Sequence, residues 1–139
     1  MIAGPIGQQN AYKGFPPRPW VRLRLIAPNG TTEELELLAD TGNPCGIIIS
    51  QGTLATSRQR AASSVNSNFG PLEGGWLRVN IPEVGLDQDI VGYGSDAVVM
   101  AAKASSPDFG GLAGLPLLRM MEYGGDADWF WVREAQIQP

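Results

Sequence analysis

Histidine is absent from the 139 residues, and cysteine occurs once, at Cys45. The first absence excludes Ser-His-Asp and Cys-His nucleophilic catalysis, His-ligated zinc and the usual near-neutral proton shuttle. Acid-base chemistry falls to carboxylates. The second excludes an internal disulfide, and a chain of this length can bury about two-thirds of its unfolded surface without a covalent or metal staple. Neither a metal nor a cofactor is expected. No stretch approaches the roughly 18 apolar residues of a membrane-spanning helix. Basic runs are also missing, and 14 acidic against 10 basic side chains give a formal net charge of -4. That balance argues against broad contact with nucleic-acid phosphates. Met1-Ile2-Ala3-Gly4-Pro5 has neither a basic n-region nor an apolar h-region. The expectation is a cytoplasmic protein with no nucleic-acid or membrane partner.

Turn formers are plentiful: 18 Gly and 11 Pro lie between short apolar runs along the chain, a pattern of many turns and short strands. Residues 1–19 lack an apolar period and read as a loose N-terminal arm, followed by one mostly β domain over residues 20–139. Val21, Leu23 and Leu25 alternate with Arg22 and Arg24, a half-buried strand. Pro28-Asn29-Gly30 then turns the chain, and Leu35 and Leu37 alternate with Glu34 and Glu36 on the return. A polar cluster, Asp40 to Gly46, leads into the apolar run Ile47-Ile48-Ile49. Ser50 to Ala62 has weak helical character with Ser50 as N-cap. Strands are predicted at Trp76–Ile81, Gln88–Gly92 and Ala97–Ala102, and Pro116 and Gly124 bracket a predicted helix over Leu117–Tyr123. In the terminal strand Trp129 and Trp131 share one face while Phe130 and Val132 share the other. Both faces being apolar, this strand is expected to be covered twice, by the core and by the arm or a partner subunit.

The residues suited to chemistry are Asp40-Thr41-Gly42. Composition alone yields about 0.03 such triplets in a chain of this make-up, and a turn between strands is the bland reading. Context sharpens the signal. Leu37-Leu38-Ala39-Asp40-Thr41-Gly42 followed by Ile47-Ile48-Ile49 resembles the catalytic loop of aspartic proteases. Gly111-Leu112-Ala113-Gly114-Leu115-Pro116-Leu117-Leu118 resembles the hydrophobic-hydrophobic-Gly element that precedes the single helix of retropepsin-like proteases. The order of elements is similar over Trp20 to Val132, with the specific likeness confined to those two segments.

This resemblance implies a closed β-barrel with one short C-terminal helix, active as a homodimer of a divergent, bacterial-type member. Asp40 would be the catalytic carboxylate, Thr41 would bond across a two-fold axis, and Gly42 would let substrate backbone approach. Aspartic proteases hold two carboxylates against one water, whereas this chain has one Asp-Thr-Gly, so a second copy would supply the other Asp40. The segment around Gly114 would pack beneath the catalytic loop. A flap closing over a peptide or protein substrate would span Ser67–Gly75, with Phe69 and Gly70 near its tip. Asn43 would line the substrate site and donate towards the Asp40 carboxylate. The family usually has Ala or Ser at position 43, and often an Asp at 44 paired to an Arg at 115; here those positions hold Asn43, Pro44 and Leu115. Pro44 also lacks an amide hydrogen that would bond substrate backbone. Cys45 reads as a small apolar filler or a redox-responsive thiol. The expected activity is hydrolysis of peptide bonds flanked by apolar side chains. The alternatives are a weak or inactive peptide-binding module with the same dimeric fold, and a monomeric β-barrel in which Asp40 is only a turn residue.

Overall fold

The computed structural model describes residues 7–135, so the first six residues of the expected arm lie outside the described residues. The elements run β1 (Gly7–Ala11), β2 (Trp20–Ile26), β3 (Thr32–Asp40), β4 (Ile47–Ile49), α1 (Gln51–Ser57), β5 (Arg58–Ser67), β6 (Gly70–Ile81), a 3-10 turn (Pro82–Val84), β7 (Leu86–Gly94), α2 (Asp96–Lys103), β8 (Phe109–Gly114), α3 (Leu115–Leu118), β9 (Glu122–Gly125) and β10 (Trp129–Arg133). Strand makes up 56% and helix 17%, which places the protein in the mostly β class as expected. Six strands close a barrel in the order β2-β3-β8-β4-β7-β6, with β6 returning to β2 through Arg24↔Asn80 and Leu25↔Val79. Closure leaves β5 outside the ring, paired to β6 as a long hairpin.

Alternation builds the barrel wall. Val21, Leu23 and Leu25 are buried while Arg22 and Arg24 face water. Cross-strand, Arg22 sits opposite Glu36 and reaches diagonally to Glu34 at 3.9 Å, the kind of exposed pair worth under about 1 kcal/mol. The joining turn uses Gly30 at φ 88° and the Asn29 side chain, which accepts from the Thr31 amide. Inside, Leu37, Ile47, Ile49, Leu77, Val79 and Leu117 form one core with Val21, Leu23 and Leu25.

Four expectations need correcting. Residues 7–11 of the predicted arm form β1, paired along β10 from Gly7↔Arg133 to Ala11↔Trp129. The helical segment predicted to Ala62 ends at Ser57, after which β5 begins. Ala97–Ala102 belongs to helix α2 and not to a strand. Its valines are β-branched, but the Ser95 hydroxyl caps it through the Val98 amide, and Asp96 and Lys103 sit at the ends that suit the helix dipole. Val98, Val99 and Ala102 bury one helical face while Met100 faces outwards. The helix predicted to Tyr123 stops at Leu118, and Glu122–Gly125 pairs with β10 instead, tied by Arg133 to Glu122 at 3.0 Å.

The predicted terminal strand is present as β10, between β1 and β9. Phe130 and Val132 are buried against the core. On the other face Trp129 is 40% exposed, and Trp131 lies under the Arg133 guanidinium. β1 joins this strand at its edge, so within one chain the outer face is only partly covered. No helix among the described residues is long and apolar enough to cross a membrane.

Candidate active site

Asp40 ends β3, and β8 is threaded between the two strands that the Asp40 loop connects. It runs parallel to β3, with Asp40↔Gly114, and antiparallel to β4, with Ile47↔Ala113. Residues 40–46 must therefore arch over the end of β8. The arch is held by backbone: the Leu115 amide donates to Asn43 O at 3.0 Å, and the Gly114 amide donates to Gly46 O at 2.9 Å. A Cβ on Gly114 would lie 1.7 Å from Cys45 O, so the loop rests on a bare backbone. On the opposite flank the Ala39 amide donates to Pro19 O at 2.9 Å, tying the segment before β2 to the strand end that carries Asp40.

Within the loop, the Gly42 amide donates to Asp40 Oδ1 at 3.0 Å and the Asn43 amide donates to Asp40 O at 3.1 Å. The carboxylate is half-buried, while Thr41 and Gly42 are exposed. Asn43 corrects an expectation. Its side chain is buried and turned back into the loop, where Oδ1 accepts from the Cys45 amide at 2.9 Å. The hydrogen bond on the carboxylate comes from Gly42. Proline at 44 costs this loop nothing internally, because the amide that Asn43 needs is one residue further on.

The β5–β6 hairpin faces the loop. Its tip is closed at Ser67↔Gly70, with the Ser67 hydroxyl accepting from the Phe69 amide and donating to Gly70 O. Gly70 adopts φ 90°, which a side chain would disfavour. Between loop and hairpin lies a cleft of about 850 Å³. The structure brings Asp40, Thr41, Gly42, Asn43 and Phe69 to its walls; Gly70 shapes the hairpin turn without lining it. Leu38, Ile48, Leu72, Leu112, Val98 and Ala101 complete an apolar floor. The last two were missed because α2 was read as a strand, and Arg18, also on the wall, because it lies in the segment read as an arm.

Among the described residues Asp40 is the cleft's only carboxylate, and no cluster of three or more Asp, Glu or Cys could hold a metal ion. Five of the six remaining aspartates are engaged elsewhere. Asp87 and Asp89 pair with Arg78 and Arg60, Asp96 accepts from the Gln51 amide, Asp108 pairs with Lys13, and Asp126 accepts from the Asp128 and Trp129 amides. Those two amides hold the Asp126 carboxyl below the usual range. Cys45 packs with Ile48, Leu72, Val98 and Leu112, and burial pushes its thiol pKa up. A protonated, half-enclosed thiol suits the apolar-filler reading. Pro44 and Leu115 line a shallow depression on the outside of the loop, where no ion pair forms between them.

Comparison of the chain with protein families, with curated proteins and with solved structures finds no match.

Proposed function

We propose that the protein is a retropepsin-like aspartic endopeptidase, active as a two-fold homodimer. The observation that carries this reading is the single carboxylate lining the cleft among the described residues, Asp40, set at the rim of a largely apolar cleft opposite the tip of the β5–β6 hairpin. One carboxylate cannot act as both base and acid on the same water. Among the described residues no other acidic side chain lines the cleft, so the second group comes from a second Asp40 across a two-fold axis. The exposure of Thr41 and Gly42 supports an axis at this loop.

Two carboxyls at about 3 Å cannot both ionise, so the pair shares one proton. The ionised member takes a proton from water, whose oxygen bonds to the scissile carbonyl carbon while the protonated member gives its proton to the carbonyl oxygen. Collapse of that gem-diol breaks the C–N bond as the carboxyl that took the water's proton passes a proton to the amine nitrogen, while the other carboxylate takes a proton from a gem-diol hydroxyl, so the carboxylic acid product forms and the pair again holds one shared proton. The Gly42 amide, donating to Asp40 Oδ1, orients the carboxylate in the loop. Phe69 would close over the substrate, and Leu38, Ile48, Leu72 and Leu112 would receive apolar side chains beside the scissile bond.

Subunit mixing tests the reading. The purified chain should have twice the 14.8 kDa chain mass in solution and should cleave a random peptide library. Wild-type and Asp40→Asn chains, mixed equally and allowed to exchange, should show about one quarter of the wild-type activity at the same total protein, because only wild-type pairs hold two carboxylates. One half, with exchange confirmed, would mean that each chain works alone. Peptide binding without cleavage would favour the module, and a monomer that binds nothing would leave Asp40 as a turn residue.

A further inference from the structure

We infer that Arg18 makes this cleft select peptides carrying an acidic side chain near the scissile bond. The inference rests on the peptide-cleft reading above and adds to it a residue that chooses among peptides. Among the described residues Arg18 and Asp40 are the only charged side chains lining the cleft. Asp40 is committed to the reaction, so Arg18 is the one charge left to read a substrate.

Its position is built. Lys13 and Arg18 exchange backbone hydrogen bonds at 3.0 and 2.8 Å, closing a small hairpin, and the next residue, Pro19, accepts from the Ala39 amide beside Asp40. The guanidinium base is thus anchored to the strand end that bears the carboxylate. The side chain is exposed and has no hydrogen-bond or ion-pair partner among the described residues. The neighbouring cation is already engaged, since Lys13 pairs with both Glu36 and Asp108. Arginine offers five donors in a planar fork that fits a carboxylate. An unpaired fork at the wall of a cleft with an apolar floor fits a peptide with an apolar side chain at the scissile bond and Glu or Asp close by. In the proposed dimer the two-fold axis puts one Arg18 on each side of that bond, so the preference should appear in both directions along the peptide.

Paired peptides that differ only as Glu or Gln, scanned through each position around a cleaved bond, test this. Wild-type protein should cleave the best-placed Glu peptide about three- to fivefold faster in kcat/KM than its Gln twin, the effect of one exposed ion pair. The ratio should fall towards one near 0.5 M salt, where the screening length is a few ångströms. Arg18→Gln should bring the ratio between the twins to about one, and Arg18→Glu should favour Lys at the same position. Equal rates for every wild-type pair, or a Glu preference that survives Arg18→Gln, overturns the inference while leaving the protease reading intact. If wild-type protein cleaves nothing, fluorescence anisotropy of the same labelled peptides separates the two claims. A Glu preference in binding that is lost in Arg18→Gln upholds the role of Arg18 and fails the protease reading, whereas equal or absent binding fails both.

Discussion

Under the proposed function, Asp40→Asn is expected to abolish peptide cleavage, lowering kcat/KM by at least about 10⁴-fold, while the fold and the proposed dimer are retained. The magnitude follows from losing both the base and the acid, since in a homodimer the substitution removes the two carboxyls together. A neutral amide neither takes a proton from water nor gives one to a carbonyl. The retention of fold follows from the loop. The structural task of the side chain is to accept the Gly42 amide through Oδ1, and an asparagine oxygen accepts equally well. Stability should therefore change by less than about 1 kcal/mol, the size of one hydrogen bond altered in strength and not lost. Because the wild-type pair already shares one proton, the substitution adds no repulsion across the proposed axis, and the proposed dimer should survive it. The measurements are library cleavage, thermal melting and solution mass. Cleavage at the wild-type rate would remove Asp40 from the chemistry, and a variant that melts early would show that the carboxylate's charge holds the loop.

The parts of this molecule that were legible in the sequence are those set by near neighbours. The β2–β3 hairpin could be read because Val21, Leu23 and Leu25 keep the period of two, and Pro28-Asn29-Gly30 supplies its turn. The hairpin tip at Phe69 could be read because a polar, Gly-bearing stretch between apolar runs has few other uses. The misses are non-local or ambiguous. Ala97-Val98-Val99 is apolar and β-branched, and only the Ser95 cap and the one-sided burial decide for a helix. Glu122–Gly125 has helix-compatible residues before it and becomes a strand because β10 offers it an edge. The side chain of Asn43 had two bonding partners within reach, the Asp40 carboxylate and the Cys45 amide, and composition could not choose between them. Arg18 lies far from Asp40 in sequence and meets the cleft only through the Pro19 to Ala39 hydrogen bond.

The largest stability effect should come from Gly114→Ala, a substitution of one methyl group. Gly114 has φ -92° and ψ 179°, which any residue adopts, so backbone freedom is not what requires glycine there. Space is the reason. The new Cβ would meet Cys45 O at 1.7 Å and Asn43 O at 2.8 Å. Both are backbone atoms, and no rotamer change relieves the clash. The loop from Asp40 to Gly46 would have to lift off β8, which breaks the bonds from the Gly114 amide to Gly46 O and from the Leu115 amide to Asn43 O. Two lost hydrogen bonds at about 1 kcal/mol each, with about 1–3 kcal/mol of overpacking strain, give about 3–5 kcal/mol. That is a large share of the 5–15 kcal/mol typical of a domain and corresponds to a fall in Tm of about 10–20 °C at this chain length. Under the proposed function, whatever remains folded should have lost cleavage, because lifting the loop moves Asp40 from the place where the proposed partner Asp40 would meet it. Gly52→Ala is the control with the opposite sign. Gly52 lies in α1, where an added Cβ meets nothing within 4 Å, so alanine there should raise stability by up to about 1 kcal/mol. If the two variants melt alike, the Asp40 loop is not seated on β8, and the geometry that aims the carboxylate into the cleft must have another origin.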